Sequence, residues 1–119
     1  KRRKVWQVKR LERSGGTVMH QALLGVMESD CGTARSIRDL KEFQVAGKSG
    51  TAELVSLDSK EAYLEVRNSE LLRDHSIIIA FGPMPNPRYA VSVVIENGES
   101  GGAVAGPVAI EVLKSLINE

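Results

Sequence analysis

Cysteine is nearly absent. The single thiol among 119 residues, Cys31, excludes an intramolecular disulfide and argues against a cysteine-built metal site. Aromatic residues make up only 4% of the chain, so its core must be aliphatic. Long hydrophobic runs are missing too: apolar, charge-free stretches such as Gly101–Ile110 fall far short of the ~18–20 residues a membrane span requires. Lys1-Arg2-Arg3-Lys4 is not followed by the apolar segment of a secretory signal. No internal repeat, coiled-coil heptad or low-complexity tract appears. Neither sign of charge dominates, with 16 Lys+Arg against 15 Asp+Glu for a net +1. These absences exclude a membrane anchor within the chain, a disulfide scaffold and a zinc module. What remains is an ordinary globular composition, 42% hydrophobic and 26% charged, at a length suited to one domain or a piece of one.

The charge is unevenly placed. Residues 1–14 hold seven basic residues and one acidic residue, Glu12, which leaves 9 − 14 = −5 for the rest. A basic arm can bind nucleic acid or anionic lipid, and this supplies a non-enzymatic alternative: a binding module for nucleic acid or a protein partner. Yet Val5, Trp6, Val8 and Leu11 interleave with the charges. Residues 1–16 therefore read better as a basic, solvated strand and turn, and no nucleic-acid partner is expected.

Ser14-Gly15-Gly16-Thr17 has the composition of a turn, with Thr17 placed to cap a helix over 17–30. Val18, Leu23, Val26 and Met27 recur there at helical spacing, and Gly32 is expected to supply a left-handed exit. Residues 32–42 read as a polar loop. Phe43-Gln44-Val45-Ala46 then opens a strand over 43–55, followed by a charged excursion over 56–74 with scattered apolar anchors such as Tyr63, Leu64, Val66, Leu71 and Leu72. The β-branched run Ser76–Phe81, the proline-rich turn Pro83–Pro87 and the strand Tyr89–Glu96 predict an antiparallel hairpin over 75–96. Asn97-Gly98 and Gly101-Gly102 end it. A closing helix over 103–118 carries Val108, Val112, Leu113, Leu116 and Ile117 on one face, with Pro107 near its first turn. The pattern is α+β, with helices flanking an antiparallel sheet of about three to four strands.

One segment is built for chemistry. In Gly47-Lys48-Ser49-Gly50-Thr51 an ammonium supplies positive charge and two hydroxyls can donate to a carboxylate. Gly50 lets a ligand approach the backbone, and the N–H that follows can face a developing oxyanion. Gly47-Lys48-Ser49 also resembles the end of a phosphate-binding loop. That motif requires a glycine five residues before Gly47, where Glu42 stands, and the apolar strand leaves no room for the cradle.

The string Val45-Ala46-Gly47-Lys48-Ser49-Gly50-Thr51-Ala52-Glu53 resembles the third active-site motif, Lys-Ser/Thr-Gly, of penicillin-binding transpeptidases and serine β-lactamases. Gly32-Thr33-Ala34 resembles the turn that precedes that strand in the class B enzymes. Leu72-Arg73-Asp74-His75 running into Ile79–Pro83 looks like their next strand. Asn86–Val91, then Glu96-Asn97-Gly98 through Gly101–Ala105, look like the closing hairpin and helix. Four ordered segments from about Thr17 to the C-terminus resemble the elongation-type class B enzymes that cross-link side-wall peptidoglycan. The fold so implied is a partial penicillin-binding transpeptidase/β-lactamase-like one.

The resemblance implies roles for matching positions. Lys48 would hold the electrostatics of the site and help relay a proton during acylation. Ser49 and Thr51 would bind the terminal carboxylate of a D-Ala-D-Ala stem peptide, or of a β-lactam that mimics it. Gly50 would keep the strand edge open, and the Thr51 N–H would form half of the oxyanion hole. No metal or cofactor is expected. The family's Ser-x-x-Lys nucleophile and Ser-x-Asn motif are both lacking, since no lysine has serine three residues before it. The chain is therefore expected to be the C-terminal part of a transpeptidase domain and inert by itself. Its parent would sit at the bacterial inner membrane and work on the periplasmic face, while the piece itself would be soluble. The missing N-terminal part of the domain would pair with strand 89–96; left bare, that edge would favour a homodimer.

Other candidates are weaker. His20 lies among apolar helix positions and reads as a packing residue. His75 follows Asp74, but neighbours on a strand face opposite ways, which argues against a dyad. Cys31 reads as a small buried residue, and Ser92 as a polar position in an apolar strand.

Overall fold

The structure, a computed structural model, describes residues 13–40, 42–54 and 69–119. The basic strand expected over most of 1–16 and the greater part of the 56–74 excursion lie outside these residues. Among the described residues no helix is long and apolar enough to cross a membrane.

Helix α1 spans Arg13–Glu28. It starts earlier than the glycine pair suggested, so Ser14–Thr17 is not a turn and Thr17 is not its cap. The Thr17 hydroxyl instead donates to the Arg13 carbonyl at 3.1 Å, a bond open to a threonine whose preceding turn is already helical. Gly15 and Gly16 have nothing near them, and each costs about 1 kcal/mol of helix propensity, which the added backbone bonds offset. Burial is concentrated in the C-terminal half: Met27 is fully buried, whereas Val18 is 67% exposed despite its helical spacing.

Gly32 does leave the helix, but not in the left-handed conformation, because no described glycine has positive φ. Its necessity is steric: a Cβ there would overlap the Val26 and Gly25 carbonyls. Close passage lets Ala34 N donate to Val26 O at 3.1 Å. Cys31, expected to be buried, is exposed, with its sulfur 3.2 Å from the Ser29 hydroxyl. The turn throws it outward while Ala34 is buried. Within the expected polar loop a 3₁₀ turn, Arg35–Leu40, buries Ile37 against Gly106.

Three strands form an antiparallel sheet in the order β1-β2-β3: β1 (Ala46–Ala52), β2 (His75–Gly82) and β3 (Tyr89–Ile95). The predicted 75–96 hairpin is present. Its turn contains cis peptide bonds at Gly82-Pro83 and Met84-Pro85. β1 is shorter than expected at its start because Phe43 and Val45 turn into the core before pairing begins, and Gln44 O accepts from Met84 N at 2.9 Å. Register sets Lys48 opposite Ile79, Gly50 opposite Ile77 and Thr51 opposite Ser76. It also sets Ile79 opposite Ser92. Lys48, Ile79 and Ser92 are all exposed, so the outward position of Ser92 agrees with its polarity.

The other face holds Ser76, Ile78 and Ala80 of β2, covered by the closing helix. A π-helical turn, Gly101–Ala105, leads into helix α2, Gly106–Ile117. Ser100 caps this turn, its hydroxyl accepting from Ala103 N. The buried stripe of α2 is Ala109, Ile110 and Leu113, not the expected Val108 and Val112, which are 43% and 41% exposed. Ala109, Ile110 and Leu113 share one core cluster with Ile78 and Ala80 of β2, and Gly106 receives the Ile37 side chain, which leaves the two valines facing outward.

Ser76 has no exposed surface, yet its hydroxyl is satisfied twice. It donates to Ser100 O at 2.7 Å and accepts from Ala105 N at 3.1 Å. Replacing it with valine strands the Ala105 N–H, while the Ser100 carbonyl keeps the bond it accepts from Val104 N at 2.9 Å. Ser76→Val should lower stability by about 1–3 kcal/mol in denaturant titration, with little change in m-value.

Candidate active site

All four residues singled out in the motif lie consecutively on β1. Lys48, Gly50 and Thr51 are exposed and Ser49 is half-buried. The pleat puts Ser49 and Thr51 on one face and Lys48 and Gly50 on the other. Antiparallel pairing also alternates the backbone polar groups between the partner strand and the open edge. Ile77 O and the N and O of Gly50 cluster around one point beside Gly101, which marks Gly50 and Ile77 as the pair whose polar groups face each other. By alternation those of Ser49 and Thr51 turn to the other edge, which no strand occupies among the described residues. The Lys48 ammonium folds back along that edge and donates to the Ser49 carbonyl.

Two flanking segments reach this strand. From the turn after α1, the Thr33 hydroxyl accepts a 3.2 Å bond from Ser49 Oγ. From the turn after β3, the Glu99 carbonyl accepts a 3.3 Å bond from Thr51 Oγ1. Gly101 comes closest of all: a Cβ there would collide with Ile77 O and both main-chain polar atoms of Gly50. Glycine is needed at position 101 because backbone meets backbone. The sequence points to Lys48, Ser49, Gly50 and Thr51 as candidates and gives no part to Thr33, Glu99 or Gly101, which the structure places beside them. The glycine pair Gly101-Gly102 and the Gly32-Thr33-Ala34 turn carried the only local signal of these contacts.

The weaker candidates stay apart from this group. His75 Nδ1 accepts from Asn97 N at 3.0 Å, so the ring anchors a turn. Asp74 Oδ1 accepts from Leu54 N at 3.2 Å, and no Asp74–His75 dyad forms. The His20 ring, on an exposed residue, lies 5.3 Å from that of Phe81. No group of His, Cys, Asp and Glu that could hold a metal ion occurs among the described residues.

The motif thus presents an ammonium, two hydroxyls and outward N–H groups along a strand edge that no other strand occupies among the described residues. Such an array suits a ligand with a carboxylate and a polarisable carbonyl. It contains no activated nucleophile of its own.

A family model described as the penicillin binding protein transpeptidase domain matches residues 1–114. The peptidoglycan D,D-transpeptidase MrdA of Escherichia coli K12 is 39% identical over 95 residues, covering 80% of this chain and 15% of that protein. MrdA of Salmonella typhimurium LT2 is 32% identical over 101 residues, 85% of this chain and 16% of that protein. The chain thus spans about a sixth of the length of these curated relatives. Among solved structures, Pseudomonas aeruginosa PBP2 in complex with WCK 5153 superimposes with a TM-score of 0.67 at 33% identity, over 84% of this chain and 19% of that one. The complex of Helicobacter pylori PBP2 with MreC gives a TM-score of 0.69 at 24% identity over 86% and 17% of the two chains, a likeness of fold alone.

Gly101→Ala should push the π-helical turn off Gly50, an overpacking cost of about 1–3 kcal/mol visible as a lower thermal midpoint.

Proposed function

The chain belongs to the penicillin-binding protein transpeptidase domain family, and we propose that it is the C-terminal part of an elongation-type D,D-transpeptidase. Such an enzyme cross-links peptidoglycan stem peptides through an acyl-enzyme. The observation that carries this reading is the open edge of β1, where Lys48, Ser49, Gly50 and Thr51 line up inside the segment that the family model matches.

In this reading a D-Ala-D-Ala terminus, or a β-lactam in its place, lies along β1. Its carboxylate takes hydrogen bonds from the Ser49 and Thr51 hydroxyls, a charge-assisted pairing stronger than the neutral contacts they now make. Its scissile carbonyl points at the Thr51 N–H, which withdraws charge as the tetrahedral oxygen forms. Gly50 adds no side chain in the ligand's path. The Lys48 ammonium lies beside both and passes a proton in the acylation step. The attacking serine would come from a Ser-x-x-Lys segment upstream of Lys1, with a Ser-x-Asn motif beside it, and without them the 119 residues are inert. The parent enzyme would be held at the bacterial inner membrane and act on its periplasmic face.

The missing part of the domain would also pair with the outer edge of β3. Among the described residues no strand occupies that edge, although β3 carries Val91, Val93, Val94 and Ile95. Produced by itself, the chain should self-associate there with a second copy. Light scattering on a size-exclusion column would read about twice the monomer mass; a monomer at high concentration would count against this pairing.

Fluorescent penicillin tests the activity directly. The full-length protein should be labelled covalently and the isolated 119 residues should not. Lys48→Ala in the full-length protein should slow labelling by about 10²–10⁴-fold while leaving the thermal midpoint near wild type. Absence of a Ser-x-x-Lys in the coding sequence upstream of Lys1, or labelling of the isolated chain, would overturn the assignment.

A further inference from the structure

Two described non-glycine residues have left-handed backbone, and both lie in the turn after β3: Asn97 with φ 55° and Glu99 with φ 61°. Asparagine adopts this conformation readily, but glutamate does so at a cost, so surrounding contacts must impose it. They are numerous. Asn97 N donates to His75 Nδ1 at 3.0 Å, and its side-chain amide donates to Leu71 O at 3.1 Å and Arg73 O at 2.8 Å. Glu99 N donates to Asp74 O at 2.9 Å, and Ser100 N to Gly98 O at 2.8 Å. Next to them the Ser76 hydroxyl fixes Ser100. A turn this heavily anchored ends with one main-chain carbonyl, that of Glu99, on the hydroxyl of an exposed active-strand residue, Thr51.

We propose that the Asn97–Glu99 turn is a positioning device for the carboxylate end of the ligand. The inference rests on the transpeptidase reading above and adds a residue, Glu99, which acts through Thr51. Thr51 is exposed and would otherwise sample its rotamers freely. The Glu99 carbonyl holds its hydroxyl at one place on the strand edge while no ligand is bound. At 3.3 Å that bond is at the weak end for a hydroxyl donor. An incoming carboxylate, a charged and stronger acceptor, takes over this hydrogen bond as the hydroxyl rotates about its Cβ–Oγ bond. The side chain is already oriented, so less ordering is left for the binding step.

The conformation of residue 99 is then the variable that matters. A β-branched residue resists positive φ and would swing the carbonyl away from Thr51; asparagine tolerates it and would keep the carbonyl in place. The test uses the full-length protein with benzylpenicillin and its methyl ester, which lacks the carboxylate charge. Glu99→Val should slow acylation by benzylpenicillin about tenfold, the worth of one hydrogen bond to a charged acceptor, and leave the ester's rate within about twofold. Glu99→Asn should restore wild-type rates with both. In a Thr51→Val background, Glu99→Val should have no further effect on benzylpenicillin. Equal loss with both compounds, the mark of a purely structural role, would overturn the inference, as would unchanged rates in Glu99→Val. A wild-type protein acylated by neither compound would instead overturn the transpeptidase reading itself.

Discussion

The hydroxyl of Ser76 ties the molecule together. It sits in the middle of an aliphatic core, at the start of β2, and both of its hydrogen bonds go to the segment that follows β3. A polar group placed so deeply is tolerated only when fully paired, and here the pairing dictates where the chain goes next. Ser100 and Ala105 are held to β2, so the π-helical turn between them lies across the sheet and α2 starts from a fixed point. Gly101 is thereby set down on Gly50 and Glu99 beside Thr51. One buried hydroxyl thus links the hairpin, the closing helix and the motif strand.

Close backbone approach is the second constraint, and glycine makes it possible. Gly32 passes under the end of α1, Gly101 lies on the Gly50–Ile77 pair, Gly102 abuts Thr33 and Gly106 receives Ile37. These contacts bring the turn after α1 and the turn after β3 to the two hydroxyls of the motif, Thr33 to Ser49 and Glu99 to Thr51. The open edge of β1 is therefore shaped from outside the motif. This suits the role proposed for the strand, since a site held by surrounding contacts loses little freedom when ligand binds.

Much of the architecture could be read from local chemistry. The β-branched runs around a proline-rich turn predicted the β2–β3 hairpin, and the chemically dense string Gly47–Thr51 marked the motif strand. Elsewhere local rules misled. Gly15-Gly16 suggested a break, but a helix continues when each added residue makes a backbone bond. Gly32 was expected to be left-handed; it is required because of carbonyls packed against it. Cys31 looked like a core residue and is exposed, because the turn that buries Ala34 must point its neighbour outward. Val108 and Val112 shared a helical face with core residues, but the face that packs on Ile37, Ile78 and Ala80 is that of Gly106, Ala109, Ile110 and Leu113.

By themselves, the amino acids determined the family, the order of the elements and the identity of the motif residues, since these depend on side-chain chemistry and on spacing along the chain. They also determined what these 119 residues lack, a serine three places before any lysine. Tertiary structure alone decided which carbonyl the Thr51 hydroxyl meets, why Ser76 can be buried, and which flank of α2 faces the sheet. Those outcomes join residues 24 to 48 positions apart, as in Ser76–Ser100 and Thr51–Glu99. Contacts over such separations depend on sheet register and on how closely backbones can pack, and no local pattern carries that information.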